Sequence, residues 1–172
     1  HTSSLAITPD GKTIVSGGWG DTINQWDIQS GECLKTFEGH AYRINSLAIT
    51  PDGKTIISGS SDDTIKICDM RSGECLQTLR GHNASVNSVA LTPDGKTIIS
   101  GSDDMSIKLW DIRSGECLQT LRGHNASVNS VALTPDGKTI ISGSDDMSIK
   151  LWDIRSGECL QTLRGHNASV NS

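Results

Sequence analysis

The chain has 172 residues, of which 34% are hydrophobic and 20% charged, and its formal net charge is −5. This length predicts one domain that can bury a core, and the acidic balance argues against nucleic acid as a partner. The sequence contains no run of 18 apolar residues, so no membrane association is expected. Aromatic residues make up only 3% of the chain, which leaves Ile, Val, Leu and Ala to form the core, as in short β-strands.

The dominant feature of the sequence is a repeat of 42 residues, and repeats of this length indicate stacked or circular arrays. Three markers recur with this spacing. They are Thr-Pro-Asp-Gly-Lys-Thr-Ile (8–14, 50–56, 92–98, 134–140), Gly-His (39–40, 81–82, 123–124, 165–166) and Ser-Gly-Glu-Cys-Leu (30–34, 72–76, 114–118, 156–160). We interpret residues 1–172 as a single domain of four units, namely 5–46, 47–88, 89–130 and 131–172, of which the last two are identical.

The elements within one unit follow from its turn residues. In the third unit, the pattern predicts strands at 87–92, 96–102, 106–112 and 116–121. Pro93, Asp94 and Gly95 form the first turn, because proline fixes φ and glycine accepts a positive φ. Asp103 and Asp104 form the second turn, and Ser114 and Gly115 form the third. Four short strands joined in this way make an antiparallel sheet, which needs neighbouring sheets to bury its faces.

The Gly-His start, the Trp-Asp ending and the spacing of these units resemble WD40 repeats. The resemblance covers essentially the whole chain and implies an all-β, WD40-type β-propeller with four blades of four antiparallel strands. Blades of this family are wedges that usually close at seven or eight, so we expect two chains to complete an eight-bladed ring as a homodimer. The near-identical units also resemble a recently amplified bacterial array or an engineered repeat.

The resemblance implies a buried polar tetrad of His, Ser, Asp and Trp in each blade. The positions that correspond are His40, Ser58 and Asp62; His82, Ser100, Asp104 and Trp110; His124, Ser142, Asp146 and Trp152; and Ser16 and Trp26, for which His166 or another chain would supply the histidine. Cys68 replaces the tryptophan of the second unit, and Gly20 replaces the aspartate of the first. Ser, His and Asp also form hydrolase triads. Because the grouping recurs in every unit, we predict that it is structural and that no residue is catalytic.

No cofactor or metal is expected. The chain has no Cys-x-x-Cys pair that would indicate zinc, and the Gly-Lys-Thr at 53–55 lacks the upstream glycine of a phosphate loop. Cys33, Cys75, Cys117 and Cys159 occupy one position per unit, and equivalent positions in neighbouring blades would be too far apart for disulfides. We therefore predict small, buried, unpaired cysteines and a cytoplasmic location.

Proteins of this family usually bind partners with the loops at one end of the blades. The resemblance places these residues on that face: Trp19, Tyr42, Arg43, Asn45, Ser61, Ser85, Asn87, Asp103, Ser127, Asn129 and Asp145. Trp19, Tyr42 and Arg43 are of the types enriched at binding hot spots. We predict a non-catalytic scaffold that binds other proteins or peptides. The alternative is a structural or engineered repeat with no partner of its own, which the identity of 89–130 and 131–172 favours.

Overall fold

A computed structural model of the chain describes residues 2–171 as sixteen β-strands in four antiparallel sheets. The first blade comprises β1 (Thr2–Ile7), β2 (Thr13–Gly18), β3 (Ile23–Asp27) and β4 (Cys33–Phe37). The second comprises β5 (Ile44–Ile49), β6 (Thr55–Ser60), β7 (Ile65–Asp69) and β8 (Cys75–Leu79). The third comprises β9 (Val86–Leu91), β10 (Thr97–Ser102), β11 (Ser106–Asp111) and β12 (Cys117–Arg122). The fourth comprises β13 (Val128–Leu133), β14 (Thr139–Ser144), β15 (Ser148–Asp153) and β16 (Cys159–Arg164).

Each blade is a meander in which consecutive strands are hydrogen-bonded neighbours. The prediction of an all-β fold built from four-stranded antiparallel sheets is therefore confirmed. In the third blade, every observed strand begins and ends within one residue of its prediction. The end residues of the predicted domain, His1 and Ser172, lie outside the described part of the chain.

The turn between the first two strands of each blade is fixed by local hydrogen bonds. In the third blade, the Thr92 hydroxyl donates to a carboxylate oxygen of Asp94 over 2.6 Å, and that oxygen also accepts from the Lys96 amide. Gly95 has a φ of +67° and donates its amide to the Thr92 carbonyl. Because a side chain is rarely tolerated at this φ, the glycine is what allows the turn to be so tight.

The hydrophobic core is divided into three clusters, each lying between two adjacent blades. Strand β6 shows how this arises. Ile56 packs in the cluster shared with the first blade, whereas its neighbour Ile57 packs in the cluster shared with the third. Successive side chains of a strand point to opposite faces, so an inner blade needs apolar residues at consecutive positions. The end blades have one such face each that no other part of the described chain covers.

The first strands of neighbouring blades also contact one another. A serine in each of these strands accepts a hydrogen bond from a backbone amide 43 positions later: Leu47 N to Ser4 Oγ, Val89 N to Ser46 Oγ and Val131 N to Ser88 Oγ, at 3.0–3.1 Å. The three junctions between blades thus share this hydrogen bond.

Candidate functional site

A chain of four polar side chains crosses the third blade. The indole N–H of Trp110 donates to Ser100 Oγ over 2.9 Å, Ser100 Oγ lies 2.7 Å from His82 Nε2, and His82 Nδ1 lies 2.8 Å from Asp104 Oδ2. Asp104 also accepts from the Asn83 amide and from the Ser106 hydroxyl. The fourth blade repeats this arrangement with Trp152, Ser142, His124 and Asp146.

The protonation states of this network follow from burial and partners. Burial lowers the pKa of His82 below its usual value, and this outweighs the opposite effect of the nearby Asp104 carboxylate. Burial alone would raise the pKa of Asp104, but hydrogen bonds from Ser106, His82 and the Asn83 amide lower it to about 2. The imidazole is therefore neutral at pH 7, with its proton on Nδ1 facing the aspartate, and Nε2 accepts from the serine hydroxyl.

This Ser-His-Asp geometry has no access to a substrate. Ser58, Ser100 and Ser142 are fully buried, and their histidines are buried as well. The serine hydroxyl is also held by the indole N–H in the third and fourth blades. What the arrangement can do is connect the loop that carries the histidine to the second and third strands of the blade.

The second blade contains the network without its tryptophan. His40 contacts Ser58 over 2.7 Å and Asp62 over 2.8 Å, and the pKa of Asp62 is lowered to about 2 although burial alone would raise it. The hydrogen bonds that lower it come from Thr64, the Ala41 amide and His40.

Two expectations about the cysteines are wrong. Cys68, at the tryptophan position, forms a disulfide with Cys75, whose Cα lies 4.0 Å away on the adjacent strand. The other cysteines at the position of Cys75, which are Cys33, Cys117 and Cys159, are exposed thiols rather than buried ones. Their position is directly opposite the tryptophan in the strand register, for example Cys117 opposite Trp110, at the outer edge of the blade.

The first blade contains only half of the network. Trp26 donates to Ser16 Oγ over 2.8 Å, while Gly20 stands at the aspartate position and provides no carboxylate. His166 follows β16 at the other end of the domain, where it is exposed.

The most prominent exposed side chains at the loop end of the blades are Trp19 and Tyr42, which are 67% and 65% exposed. The guanidinium carbon of Arg43 lies 5.9 Å from the centre of the Trp19 ring, a cation–π distance. These three residues, with Gly20, Asp21, Ala41 and Ser61, line a depression of about 480 Å³ between the first and second blades.

The remaining residues of the predicted face belong to a ladder along the innermost strands. Each of three asparagines donates its side-chain amide to a backbone carbonyl 41 positions later. Asn45 and Asn87 reach Val86 and Val128 of the next blade, and Asn129 reaches Val170, which follows β16. The same amides also reach the turn residues Ser61, Asp103 and Asp145 of their own blades. Ser85 and Ser127 are partly buried, and their carbonyls accept the amides of Asp103 and Asp145.

Residues 2–171 contain neither a candidate metal site nor a candidate membrane-spanning helix. No group of three or more His, Cys, Asp or Glu side chains is placed so that it could hold a metal ion. No helix in this part of the chain is long and apolar enough to cross a membrane.

A family model described as WD domain, G-beta repeat matches residues 1–27, 31–69, 73–111 and 115–153. The chain belongs to the WD40 family. No curated protein matches the chain significantly.

The WD40 units and the observed blades differ in phase by one strand. Each matched unit ends at the aspartate of the Trp-Asp or Cys-Asp pair, at Asp27, Asp69, Asp111 and Asp153. The second matched unit, 31–69, therefore begins with β4, which pairs in the first blade, and continues with the first three strands of the second blade. Every WD40 unit after the first thus covalently spans two blades.

Proposed function

We propose that the chain is a non-catalytic scaffold that binds another protein or a peptide through the loop face around Trp19, Tyr42 and Arg43. WD40 proteins generally act as protein-interaction scaffolds, and this chain carries its most distinctive surface where the first two blades meet. The observation that carries the proposal is the exposed Trp19 with the Arg43 guanidinium at a cation–π distance over its ring. Tryptophan, tyrosine and arginine are the residues most enriched among those that dominate binding energy.

The Arg43 side chain is already ordered in this surface. Its Nε donates to Asn45 over 2.7 Å, and Asn45 is in turn held by Ser61 and the Val86 carbonyl. A side chain that is ordered before binding loses less conformational entropy when a partner arrives. The net charge of −5 and the exposed Asp103 and Asp145 on the same face support a protein partner and not a nucleic acid.

The buried position of the network serines supports a non-catalytic function. A nucleophilic serine must reach a substrate carbonyl, whereas the network serines are fully buried. The second candidate function, a structural repeat without a partner, is favoured by the identity of 89–130 and 131–172, since identical blades present little distinctive surface. Trp19, Tyr42 and Arg43 have no copies in those blades.

The binding proposal is tested with a random dodecapeptide phage library selected on the full chain. We expect the double variant Trp19→Ala/Arg43→Ala to bind the selected peptides at least about tenfold more weakly by calorimetry, a loss of about 1.4 kcal/mol. Leu118→Ala is the control, because this leucine is also exposed, at 57% against 67% for Trp19, but lies on the outer strand β12. Unchanged affinity in the double variant would refute this face as the binding site, and a library that yields no binder would favour the structural repeat.

We also propose that two chains join head to tail into an eight-bladed homodimeric ring with two-fold symmetry. The support is apolar exposure at the two ends. Leu5 of the first blade is 65% exposed, whereas its equivalent Leu47 is 7% exposed, and Leu163 of the fourth blade is 41% exposed against 3% for Leu79. Exposed apolar faces of this kind mark association surfaces.

The ring proposal is tested by light scattering on a sizing column. We expect a peak at twice the 18.3 kDa of one chain. A single peak at the mass of one chain, across the whole accessible concentration range, would rule the ring out.

We further propose a cytoplasmic location. The free, exposed thiols Cys33, Cys117 and Cys159 suit a reducing compartment. In that environment Cys68 and Cys75 would be thiols, and the disulfide would form on oxidation. Cells are lysed directly into denaturant with excess alkylating agent, so that buried thiols react as well. Mass spectrometry would then detect five modified cysteines if the location is reducing and three if it is oxidising.

A further inference from the structure

The Cys68–Cys75 disulfide packs against the start of the connecting loop, residues 38–43, which joins the first blade to the second. The Cys75 Sγ lies 3.8 Å from the Glu38 carbonyl oxygen, and a methyl group added at Gly39 would lie 3.6 Å from the same sulfur. At the equivalent glycines before the third and fourth blades, such a methyl group would lie 3.1 Å from the tryptophan ring of the blade. In the second blade, the disulfide therefore supports the connecting loop where the other blades use tryptophan.

The free thiols at the position of Cys75 in the other blades are directed elsewhere. Each lies 3.5–3.6 Å from the carbonyl oxygen two residues further along its own strand, and this holds for Cys33, Cys117 and Cys159. Among these four equivalent cysteines, only Cys75 is bonded to another cysteine, and only its sulfur contacts the connecting loop through Glu38. We therefore expect a reduced Cys75 to turn toward the Gln77 carbonyl, as its equivalents do, and to leave the loop without this support.

The connecting loop also carries two residues of the proposed binding surface. Tyr42 and Arg43 line the depression beside Trp19. Just before them, the Ala41 amide donates to the Asp62 carboxylate over 3.0 Å, which fixes the middle of the loop. Because the loop is short, a loss of support at its start also loosens the two side chains at its end. A binding surface that is less ordered before the partner arrives has a lower affinity.

The two cysteines differ in their access to solvent. Cys68 is 1% exposed, whereas Cys75 lies on the outer strand β8 and is exposed. They are directly opposite each other in the register of β7 and β8, with their Cα atoms 4.0 Å apart. A small oxidant therefore reaches Cys75 first, and the sulfur of Cys68 is already in place to complete the reaction.

We infer that Cys68 and Cys75 form a redox site that reacts with a small disulfide, such as glutathione disulfide, and that its oxidation orders the connecting loop and strengthens partner binding. This inference rests on the proposed function, because Tyr42 and Arg43 belong to the binding surface proposed there. In the reducing environment proposed above, the pair is a dithiol, and the surface gains its full affinity on oxidation.

The reaction is a thiol–disulfide exchange in two steps. The Cys75 thiolate attacks one sulfur of glutathione disulfide, breaks its S–S bond and releases one glutathione thiolate. The Cys68 thiolate then attacks the Cys75 sulfur of the mixed disulfide and releases the second glutathione thiolate. The protein loses two electrons and two thiol protons, and both are taken up by the two glutathione molecules that leave.

The order of the loop is tested by amide hydrogen exchange, measured by NMR on the full chain with the pair oxidised and then reduced by glutathione. The other thiols are kept from reacting by three substitutions at exposed positions, Cys33→Ser, Cys117→Ser and Cys159→Ser. We expect the Ala41 amide to exchange at least about tenfold faster after reduction, because its bond to Asp62 opens more often. The internal control is the Asn83 amide, which makes the equivalent bond to Asp104 in a blade that has its tryptophan and is expected to change little.

Binding is measured by calorimetry with dodecapeptides selected from a phage library on the oxidised triple variant. We expect reduction to weaken their binding at least about fivefold, since the surface is then less ordered. Adding Cys75→Ser, at an exposed position, is expected to give the weak affinity under both conditions. The triple variant is the matched control, because it lacks every equivalent of Cys75 and still responds.

The outcomes separate redox control from the binding surface itself. Equal exchange of the Ala41 amide in both states, or peptide affinity that does not change on reduction, would overturn redox control while the binding surface stands. A response that persists in Cys75→Ser would overturn the assignment to this pair. A library that yields no binder would overturn the proposed function, whereas faster exchange of the Ala41 amide on reduction would still support control of the loop by the pair.

Discussion

Replacing Trp110 with alanine is expected to lower the free energy of unfolding by about 3–5 kcal/mol, the range typical of a large aromatic residue removed from a core. The side chain is almost fully buried between the second and third blades, where it packs against Gly81. Its loss also removes the donor to Ser100, whose hydroxyl supports the His82 ring. Urea denaturation at a fixed protein concentration measures the change, because any association would make the midpoint depend on concentration.

The matched control for this prediction is Trp19→Ala. It removes the same side chain from an exposed position, and exposed substitutions usually stay within about 0.5 kcal/mol. Trp110→Phe separates packing from hydrogen bonding, with an expected loss of about 1 kcal/mol for the missing N–H donor. If Trp110→Ala and Trp19→Ala cost the same, the assignment of Trp110 to the core network is wrong.

The second large effect is a loss of stability as the pH falls from 7.5 to 5.5. Burial lowers the pKa of His40, His82 and His124 in the folded protein, so these rings stay neutral while the unfolded chain takes up protons below its ordinary histidine pKa, about 6.5. The unfolded state then binds more protons, and stability drops as pH decreases. Each histidine ring changes the free energy of unfolding by at most about 1.4 kcal/mol per pH unit. The stability that these neutral rings provide is fully present above pH 6.5 and is lost progressively below that pH.

Urea midpoints at four or five pH values in this range provide the measurement. His82→Gln removes one of the three buried rings and is expected to reduce the slope by roughly a third. The aspartates affect stability in a separate, lower pH range. The pKa values of Asp62 and Asp104 are lowered to about 2, so their contribution is lost only as the pH falls below the ordinary aspartate pKa of 3.8. Stability that is constant between pH 7.5 and 5.5 would contradict the neutral, buried histidines.

The strands could be predicted from the sequence because every boundary has a local cause. The Pro93-Asp94-Gly95 turn is built from bonds within six residues, between Thr92 and Thr97. The 42-residue period then transfers each prediction to the other units. Long-range pairing adds little uncertainty in a meander, since each strand pairs with its neighbour in sequence.

Equivalent positions in different blades do not predict the Cys68–Cys75 disulfide, because its two cysteines lie on adjacent strands of one blade. The strand register places Trp110 opposite Cys117 and Trp152 opposite Cys159. Replacing the tryptophan of the second unit with cysteine therefore puts two cysteines opposite each other. The signal was present in the sequence at the one unit that departs from Trp-Asp, but using it required the register of the outer two strands.

The cation–π contact between Arg43 and Trp19 could not be predicted from spacing alone. Trp19 belongs to a turn of the first blade, and Arg43 lies just before the first strand of the second. Their approach depends on how far one blade is rotated relative to the next, and no local sequence signal reports that angle. The depression beside them is likewise a product of two blades and not of either one.

Although the WD40 unit and the blade differ in phase, both repeat every 42 residues, and this common period governs how such genes can gain or lose blades. Each junction is made by the same bonds at the same spacing, and residues 89–130 and 131–172 are identical. A recombination event that inserts or deletes 42 residues therefore adds or removes one whole blade, whatever the breakpoint within the unit. When the exchange falls within 89–172, every interface in the altered protein is one that already existed, so the number of blades can change in evolution without new packing having to be selected.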